Sequence, residues 1–261
     1  MRIRSVESMN YDLQKAGLWK RTAAWMFDGI LLGTLAVALG FLLSALLGYD
    51  GHSEALDRAY AEYEAEYGVA FEITQEEYLA MPEQQRQNYD AAYQALTADE
   101  DVMYAYNMVI NLTLTVTTVG ILLAYLIWEF AIPLLLGNGQ TLGKKIFGLG
   151  LMRSDGVQIN TLQLFTRTVL GKFTIETMIP VYILLMIFWG AMGLGGTLIL
   201  LVILAAQILS LAVTRTNSAI HDLMAGTVVV DAASQLIFRS TEDLIAFQKQ
   251  IHAERAARTK S

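Results

Sequence analysis

The sequence predicts an all-α membrane protein with four transmembrane helices, an acidic helical extracytoplasmic insertion between the first two, and a cytoplasmic C-terminal tail. Of the 261 residues, 54% are hydrophobic and only 16% are charged. The apolar residues are gathered in long blocks, which is typical of membrane proteins because about 20 consecutive apolar residues are needed to cross the hydrocarbon core. The negative charge lies mainly in one segment, between the first two blocks.

The first apolar block predicts a transmembrane helix over residues 19–48. As a helix, its core from Thr22 to Leu47 would be about 39 Å long, which exceeds the hydrocarbon core of roughly 30 Å and predicts a tilted span. Residues 1–18 are polar and basic, and no small-residue cleavage site follows the block. We therefore expect a cytoplasmic N-terminal segment and no cleaved signal peptide.

The acidic insertion covers residues 49–104 and contains 14 Asp and Glu against only two Arg, a balance of −12. Its runs EALDRAYAEYEAEY and EQQRQNYDAAYQAL predict amphipathic helices with tyrosine on one face. Two interpretations remain for this segment. A small helical cap held by tyrosine packing is favoured over a cation-binding site, because the acidic residues lack the spacing of a calcium loop.

The rest of the chain divides by hydropathy. A second apolar block follows the insertion, the Gly- and Lys-rich stretch after it is too polar to cross, and TLQLFTRTVLGK has the mixed apolar and basic pattern of an interfacial helix. The predicted segments are the second transmembrane helix at 105–136, a cytoplasmic Gly/Lys loop with an interfacial helix at 137–172, the third and fourth transmembrane helices at 173–213, a His-Asp closing motif at 214–231 and a cytoplasmic tail at 232–261.

The distribution of Lys and Arg predicts the orientation. Five basic residues precede or open the first helix, five lie in residues 137–172 and six follow the fourth helix, whereas the insertion has two. Loops on the cytoplasmic side carry the excess of Lys and Arg. Both termini are therefore expected to be cytoplasmic.

Two carboxylates lie inside apolar blocks. An aspartate at the centre of a membrane helix disfavours insertion by about 2.5–3.5 kcal/mol, so Asp28 is expected to face the bundle interior, either in an ion or proton pathway or in a buried hydrogen bond between helices. Glu129 lies at a matching depth, and two antiparallel helices could let the two acids share a proton. The adjacent Trp128 equally indicates a position at the interface, with Glu129 in water.

Two weaker features each allow two interpretations. Glu176 precedes Pro180 near the start of the third span, which indicates either a simple helix kink, the favoured reading, or a broken helix that coordinates an ion. A stripe of small residues on the first helix favours internal helix packing over a dimer seam. The stripe consists of Gly29, Gly33, Ala36 and Gly40.

The sequence contains no complete enzyme motif. GQTLGKK resembles a phosphate-binding loop, but Asn138 and Lys145 stand where that motif needs a glycine and a hydroxyl residue. There is no cysteine, and the three histidines are scattered along the chain. We therefore expect no catalytic residue, no cofactor, no metal site and no nucleic-acid partner.

Taken together, Arg21, Asp28 and two later motifs resemble the RDD family of bacterial membrane proteins, which is named for one arginine and two aspartates. GQTLGKKIFGLGLMRSDG at 139–156 is similar to the family's glycine-lysine loop, and HDLMAGTVVV at 221–230 is similar to its closing motif, with Asp222 as the third named residue. The resemblance extends from about residue 18 to residue 231 and omits the acidic insertion. It implies a location in the cell (inner) membrane and transport, including cation/proton antiport by some members.

Because the resemblance implies transport but no particular substrate, we expect a protein that moves a small cation, with Na⁺, Li⁺ and K⁺ as candidates, against protons, with Asp28 as the exchange site and Arg21 and Asp222 setting its pKa. If the closing motif folds back, Asp222 pairs with Arg21 and leaves Asp28 free. Four helices are few for alternating access, so a transporter of this kind is expected to be a homo-oligomer in the lipid bilayer. Glu129 would assist, and His221 and Glu176 are further candidates for assisting residues.

A different class of function is also open at this point. The chain could be a membrane scaffold or assembly factor in which the same residues lock the fold and the acidic insertion binds a partner. Access of water to Asp28 separates the two readings, because a dry and fully paired network favours a scaffold and a hydrated path favours transport.

Overall fold

The computed structural model describes residues 13–214 and 216–258. The beginning of the predicted N-terminal segment and the last three residues of the predicted tail lie outside this part of the chain, as do Arg2, Arg4 and Arg215, which contribute to the predicted orientation. In chain order, the structure contains α1 Leu18–Leu47, α2 Tyr49–Tyr67, α3 Gln75–Ala80, α4 Glu83–Ala98, α5 Glu100–Leu135, α6 Leu142–Ile146, β1 Leu149–Arg153, α7 Thr161–Phe188, α8 Gly193–Val213, α9 Ile220–Ala225, β2 Thr227–Asp231 and α10 Thr241–Arg258.

Four of these helices, α1, α5, α7 and α8, are long and apolar enough to cross a membrane, with mean hydropathies of 2.5, 1.9, 1.6 and 2.5. The prediction of an all-α membrane protein with four spans is therefore confirmed. The bounds of two helices differ most from the prediction, because α5 begins at Glu100, before the predicted residue 105, and α7 begins before the predicted residue 173. α7 begins at Thr161 and continues without a break to Phe188, so residues 161–172 form the first part of the third apolar helix rather than a separate interfacial helix.

Two of the apolar helices contain π-helical segments, Leu126–Ala131 in α5 and Thr166–Met178 in α7. In a π-helix each amide bonds to the carbonyl five residues earlier, a rare arrangement that often marks functional sites. The two π-helical segments contact each other. They carry four of the ionisable side chains described below, Glu129, Arg167, Lys172 and Glu176.

A two-stranded antiparallel sheet lies beside these helices and was not predicted. β1 pairs with β2 in the register that places Leu149 opposite Asp231, although the strands lie far apart in the sequence. The segment before α1 adds a bridge to the free edge of β2, because the amide of Asp231 donates to the carbonyl of Gln14 at 3.1 Å. The β-branched run TVVVD fits a strand, and its valines are all buried.

The acidic insertion folds into α2, α3 and α4. Edge-to-face contacts connect four rings in a row, Tyr60 to Phe71, Phe71 to Tyr89 and Tyr89 to Tyr78, with centroids 5.4–5.8 Å apart. Ala92, a residue of α4, is fully buried. This aromatic packing agrees with the helical cap that the tyrosine pattern favours.

The lipid-exposed faces of the apolar helices explain the large number of exposed hydrophobic residues. On α1, Trp25 is 68% exposed and Phe41 is 74% exposed, as expected for side chains that meet acyl chains rather than protein. The small-residue stripe was interpreted as a surface for internal helix packing. At Gly29 and Gly33 no such packing is seen, because a methyl group added to either glycine would have no neighbour within 4 Å. At Gly40 such a methyl group would lie 3.9 Å from Val116.

The contribution of the sheet to the stability of the protein can be tested by a substitution in the core around it. Leu151 on β1 is 1% exposed and packs with Ala16, Ala24 and Val229. We expect Leu151→Ala to lower the free energy of unfolding by about 2–5 kcal/mol, because the change removes buried surface and leaves a cavity. The measurement is reversible unfolding in mixed micelles. Ile146→Ala, at a side chain that is 63% exposed, serves as the control, and equal losses in both variants would mean that the sheet is not a core element.

Candidate functional site

Nine ionisable side chains from five parts of the chain come together where the apolar helices meet the closing motif. Eight of them carry formal charge, with four acids and four bases, and the ninth is His221. Buried charges are costly unless they are paired, so this balance is what allows so many to lie together. We refer to them as the buried charge network, and its members are Arg21, Asp28, Glu129, Lys144, Arg167, Lys172, Glu176, His221 and Asp222.

Asp222 lies at the centre of one half of this network and is 1% exposed. Nε of Arg167 donates to its Oδ1 at 2.9 Å, and a terminal nitrogen of Arg21 lies 3.6 Å from its Oδ2. Burial opposes the ionisation of Asp222, but the guanidinium charges of Arg167 and Arg21, together with the hydrogen bond from Arg167, outweigh burial and hold its pKa well below the ordinary value. The ion pair between Arg21 and Asp222, which the resemblance to the RDD family implies, is present. Arg167, which was not predicted to take part, lies closer to Asp222 than Arg21 does.

His221 connects Arg167 to Glu176. Its Nδ1 lies 2.7 Å from one oxygen of Glu176, its backbone amide donates to the other at 2.9 Å, and its Nε2 lies 2.9 Å from a terminal nitrogen of Arg167. Arginine can only donate, so Nε2 accepts and the ring proton is on Nδ1. Burial lowers the pKa of His221, in keeping with a neutral imidazole. Glu176 therefore binds both the side chain and the backbone of His221, which is a more specific role than an interfacial acid near the kink at Pro180.

The short helix α9 can reach this position because α7 has a glycine where they cross. A methyl group at Gly171 would lie 2.5 Å from Cβ of His221 and 2.7 Å from its Cα. Any side chain there would push the closing motif away from α7. The glycine therefore sets the distance that the contacts of His221 and Asp222 need.

Asp28 is 4% exposed and is held by three neutral donors. Its Oδ1 accepts from the indole of Trp128 at 3.3 Å and from the amide of Gly143 at 2.8 Å, and its Oδ2 accepts from the hydroxyl of Thr141 at 2.5 Å. The expectation that Asp28 is left without a partner is wrong for this structure, whereas its exchange of a proton or cation stays a prediction. The reason is that the turn before α6 folds onto α1 and caps the carboxylate, and Trp128 turns its indole inward to the same group.

Glu129 has its own partner. Its Oε1 lies 2.5 Å from Nζ of Lys172, and its backbone carbonyl accepts from the hydroxyl of Thr168 at 3.0 Å. Among the described residues no hydrogen bond joins Glu129 to Asp28, so the direct sharing of a proton is not observed. The two acids are not paired although the sequence places them at similar depths. Asp28 is instead bound by donors of the turn that begins α6, and Glu129 is bound by Lys172 of α7.

Lys144 lies between these two carboxylates and is only 7% exposed. Its Nζ donates to the hydroxyl of Thr141 at 3.1 Å. Burial lowers the pKa of Lys144 to about 7, while the negative charges of Glu129 and Asp28 favour its protonated form. Its charge state is thus set to change near neutral pH.

Three of the four cations of this site, Lys144, Arg167 and Lys172, are not among the site residues predicted from the sequence. Arg167 and Lys172 were assigned to a headgroup-facing helix, and Lys144 to a polar loop. One signal was available: Arg167 and Lys172 are five residues apart, and in a π-helix residues with that spacing lie one above the other. An α-helical reading places them on different sides, which is why they were not paired with the acids.

Comparison with known proteins gives one match. Residues 15–226 match the RDD family. No curated protein and no solved structure matches the chain. The matched range contains all nine members of the buried charge network and also the acidic insertion.

The close approach of Gly143 to α1 can be tested directly. A methyl group at Gly143 would lie 2.6 Å from the carbonyl oxygen of Ala24 and 2.7 Å from Oδ2 of Asp28. We expect Gly143→Ala to lower the free energy of unfolding by about 1–3 kcal/mol, because α6 must move away from Asp28. Gly29→Ala is the matched control, since nothing lies within 4 Å of the added methyl. A Gly143 variant as stable as that control would disprove the cap.

The neutral state of His221 predicts a pH dependence. Its pKa is lowered below the ordinary 6.5 in the folded protein, so the unfolded chain binds the extra proton first as the pH falls. Stability should therefore decrease below about pH 6.5, by up to about 1.4 kcal/mol per pH unit from this group. His221→Gln should reduce this slope in pH-dependent unfolding, whereas His252→Gln, at an exposed site, should leave it unchanged. Equal slopes in all three proteins would contradict a buried neutral His221.

Proposed function

Since this chain belongs to the RDD family, we propose that it works as a multi-pass membrane scaffold rather than as a transporter. In this proposal the buried charge network locks the fold, and the acidic insertion is the part that meets a partner. The observation that carries the proposal is the state of Asp28. The carboxylate of Asp28, which was expected to exchange ions, is 4% exposed and accepts hydrogen bonds from three uncharged donors.

The arrangement of the charges supports a lock. Asp222 is bound by Arg167 and faces Arg21, and Glu129 is bound by Lys172, so the chain segments at α1, α5, α7 and α9 are tied to one another through ionised groups. Removing one partner of a buried ion pair typically costs 3–5 kcal/mol because the other charge is left uncompensated. A structure of this kind resists rearrangement of its segments.

The insertion supports the second half of the proposal. Its residues lie in a compact unit, Val37–Ile121, distinct from the unit that holds the buried charge network, and its balance of −12 suits a positively charged partner. The excess of basic residues elsewhere in the chain supports an orientation with both termini in the cytoplasm and the insertion on the outer side of the cell membrane. We assign no enzymatic activity to the chain.

A second candidate function, exchange of a small cation such as Na⁺, Li⁺ or K⁺ for a proton, is favoured by a different observation. Glu129 Oε2 and Asp222 Oδ2 are buried and accept no hydrogen bond from the described residues. Carboxylate oxygens of this kind are ligands for small cations. An exchanger with four spans would work as a homo-oligomer.

Flux measurements separate the two functions. We expect the native protein in liposomes to show no proton-coupled flux under Na⁺, Li⁺ or K⁺ gradients monitored with a pH-sensitive dye. We expect Asp28→Asn instead to lower the free energy of unfolding by about 1–3 kcal/mol, because an amide cannot accept from all the donors around Asp28. Asp243→Asn, at an exposed position on α10, is the control for both measurements. Flux in the native protein that is lost in Asp28→Asn at matched insertion would establish the exchanger and reject the scaffold.

A further inference from the structure

The acidic insertion carries an open cleft where α3 approaches α4. Its volume is about 380 Å³, at the low end of the size range of ligand-binding pockets. It is lined by the three tyrosines Tyr78, Tyr89 and Tyr93, by Asp90 and by four residues without charge. None of these lining residues is basic. We refer to this feature as the tyrosine cleft.

The spacing of the residues on α4 places an aromatic ring and a carboxylate next to each other. Tyr89 and Tyr93 are four residues apart on this helix and Asp90 is three residues before Tyr93, so the three side chains lie on one face. Tyr78 of α3 contacts Tyr89 edge-on, with centroids 5.4 Å apart. Tyr89 is half-buried in this aromatic packing, whereas Tyr93 is 53% exposed. The ring of Tyr93 is therefore accessible to a ligand.

The carboxylate of Asp90 uses one of its oxygens within the protein. The hydroxyl of Tyr78 donates to Oδ1 at 2.8 Å, and Oδ2 accepts no hydrogen bond from the described residues. The hydrogen bond to Asp90 raises the pKa of Tyr78, which therefore stays a neutral phenol. Asp90 itself is exposed. Its second oxygen can accept a hydrogen bond from a ligand.

A second acid adds negative charge beside the cleft. Oε2 of Glu77 accepts from the amide of Thr74 at 2.7 Å and from its hydroxyl at 2.9 Å, and Thr74 lines the cleft. Arg86 is the only basic residue of α4, and its charge reaches Tyr78. Its guanidinium donates to the carbonyl of Met81 at 3.3 Å, however, and does not line the cleft. The tyrosine cleft thus combines aromatic faces with negative charge and has no cation of its own.

Aromatic faces beside a carboxylate are suited to a planar cation. A guanidinium stacks on an aromatic ring and donates hydrogen bonds in its own plane, whereas an ammonium is compact and strongly hydrated. Tyrosine and arginine are also the residues that most often dominate the binding energy of protein interfaces. The balance of −12 in the insertion attracts a partner that presents such a group.

We propose that the tyrosine cleft is the docking pocket for an arginine side chain of a partner protein. The guanidinium stacks on the ring of Tyr93 and donates to Oδ2 of Asp90. This inference rests on the proposed role of the insertion in binding a positively charged partner, and it names the group on that partner that the insertion recognises. It does not involve the buried charge network.

The test uses the full chain in nanodiscs, with tyrosine labelled in the ring, and follows the ring signals by NMR as a probe is added. The first probe is N-acetyl-arginine amide, and we expect saturable shifts of the signals of Tyr78, Tyr89 and Tyr93. The second probe is N-acetyl-citrulline amide, which has nearly the same shape without the charge, and we expect no saturable shifts with it. N-acetyl-lysine amide and tetramethylammonium should bind more weakly than the arginine probe.

Variants at the two exposed positions locate the contact. Asp90→Asn and Tyr93→Leu should each weaken binding of the arginine probe about two- to fivefold, because each removes one interaction at an exposed site. Tyr93→Phe assigns the Tyr93 signal and keeps the ring, so it should bind like the native chain. Glu62→Gln, at an exposed position on α2, removes the same charge as Asp90→Asn and should leave the affinity unchanged.

Several results would overturn the proposal. They include no saturable shift with the arginine probe, equal shifts with the citrulline probe, and equal weakening in Asp90→Asn and Glu62→Gln, since binding would then follow net charge alone. Tighter binding of the lysine probe or of tetramethylammonium would assign the cleft to another cation and reject an arginine side chain. The comparison of probes uses the native chain, so it stands even if a variant fails to fold. Flux measurements decide separately between scaffold and exchanger, so failure of the cleft and failure of the scaffold are distinguishable.

Discussion

A carboxylate removed from water must be surrounded by positive charge or by hydrogen-bond donors, and the fold of this protein is organised around meeting that requirement at Asp222. The side chain is 1% exposed and lies between Arg167 on α7 and Arg21 at the start of α1. For both guanidinium groups to reach it, the closing motif has to turn back after α8 and lie against α7. Gly171 permits that approach, and the pairing of β2 with β1 holds the chain in place afterwards.

The acids of the buried charge network are stabilised in three different ways. Asp222 is matched by two cations, Glu129 by the single cation Lys172, and Asp28 by neutral donors alone. These solutions differ in what a proton would do. A proton on Asp222 would break ion pairs, whereas a proton on Oδ2 of Asp28 would displace the hydroxyl proton of Thr141 from that oxygen.

Hydropathy was enough to predict the four apolar helices, because each must satisfy its own backbone in the membrane and shows this in its composition. The cost of burying a carboxylate also predicted that Asp28 faces the interior, but it left a buried hydrogen bond and an ion pathway equally open. The partners did not follow, because Thr141, Lys144 and Arg167 lie in segments that are polar by composition and reach the site only through the fold. The π-helical segment of α7 and the pairing of two five-residue strands depend on contacts distant in sequence, which periodicity does not record.

The distance in sequence between the two ends of the network affects the order of events during synthesis. Arg21 contacts the carbonyl of Thr216, 195 residues later, and Asp222 is later still. A ribosome that adds about 5–20 residues per second needs roughly 10–40 s to cover that interval. All four apolar helices are therefore made before the carboxylate that joins α1 to α7 exists. Until then Arg21 and Arg167 must be satisfied by lipid phosphates, water or the insertion machinery, and the last residues of the closing motif act as the step that completes the assembly.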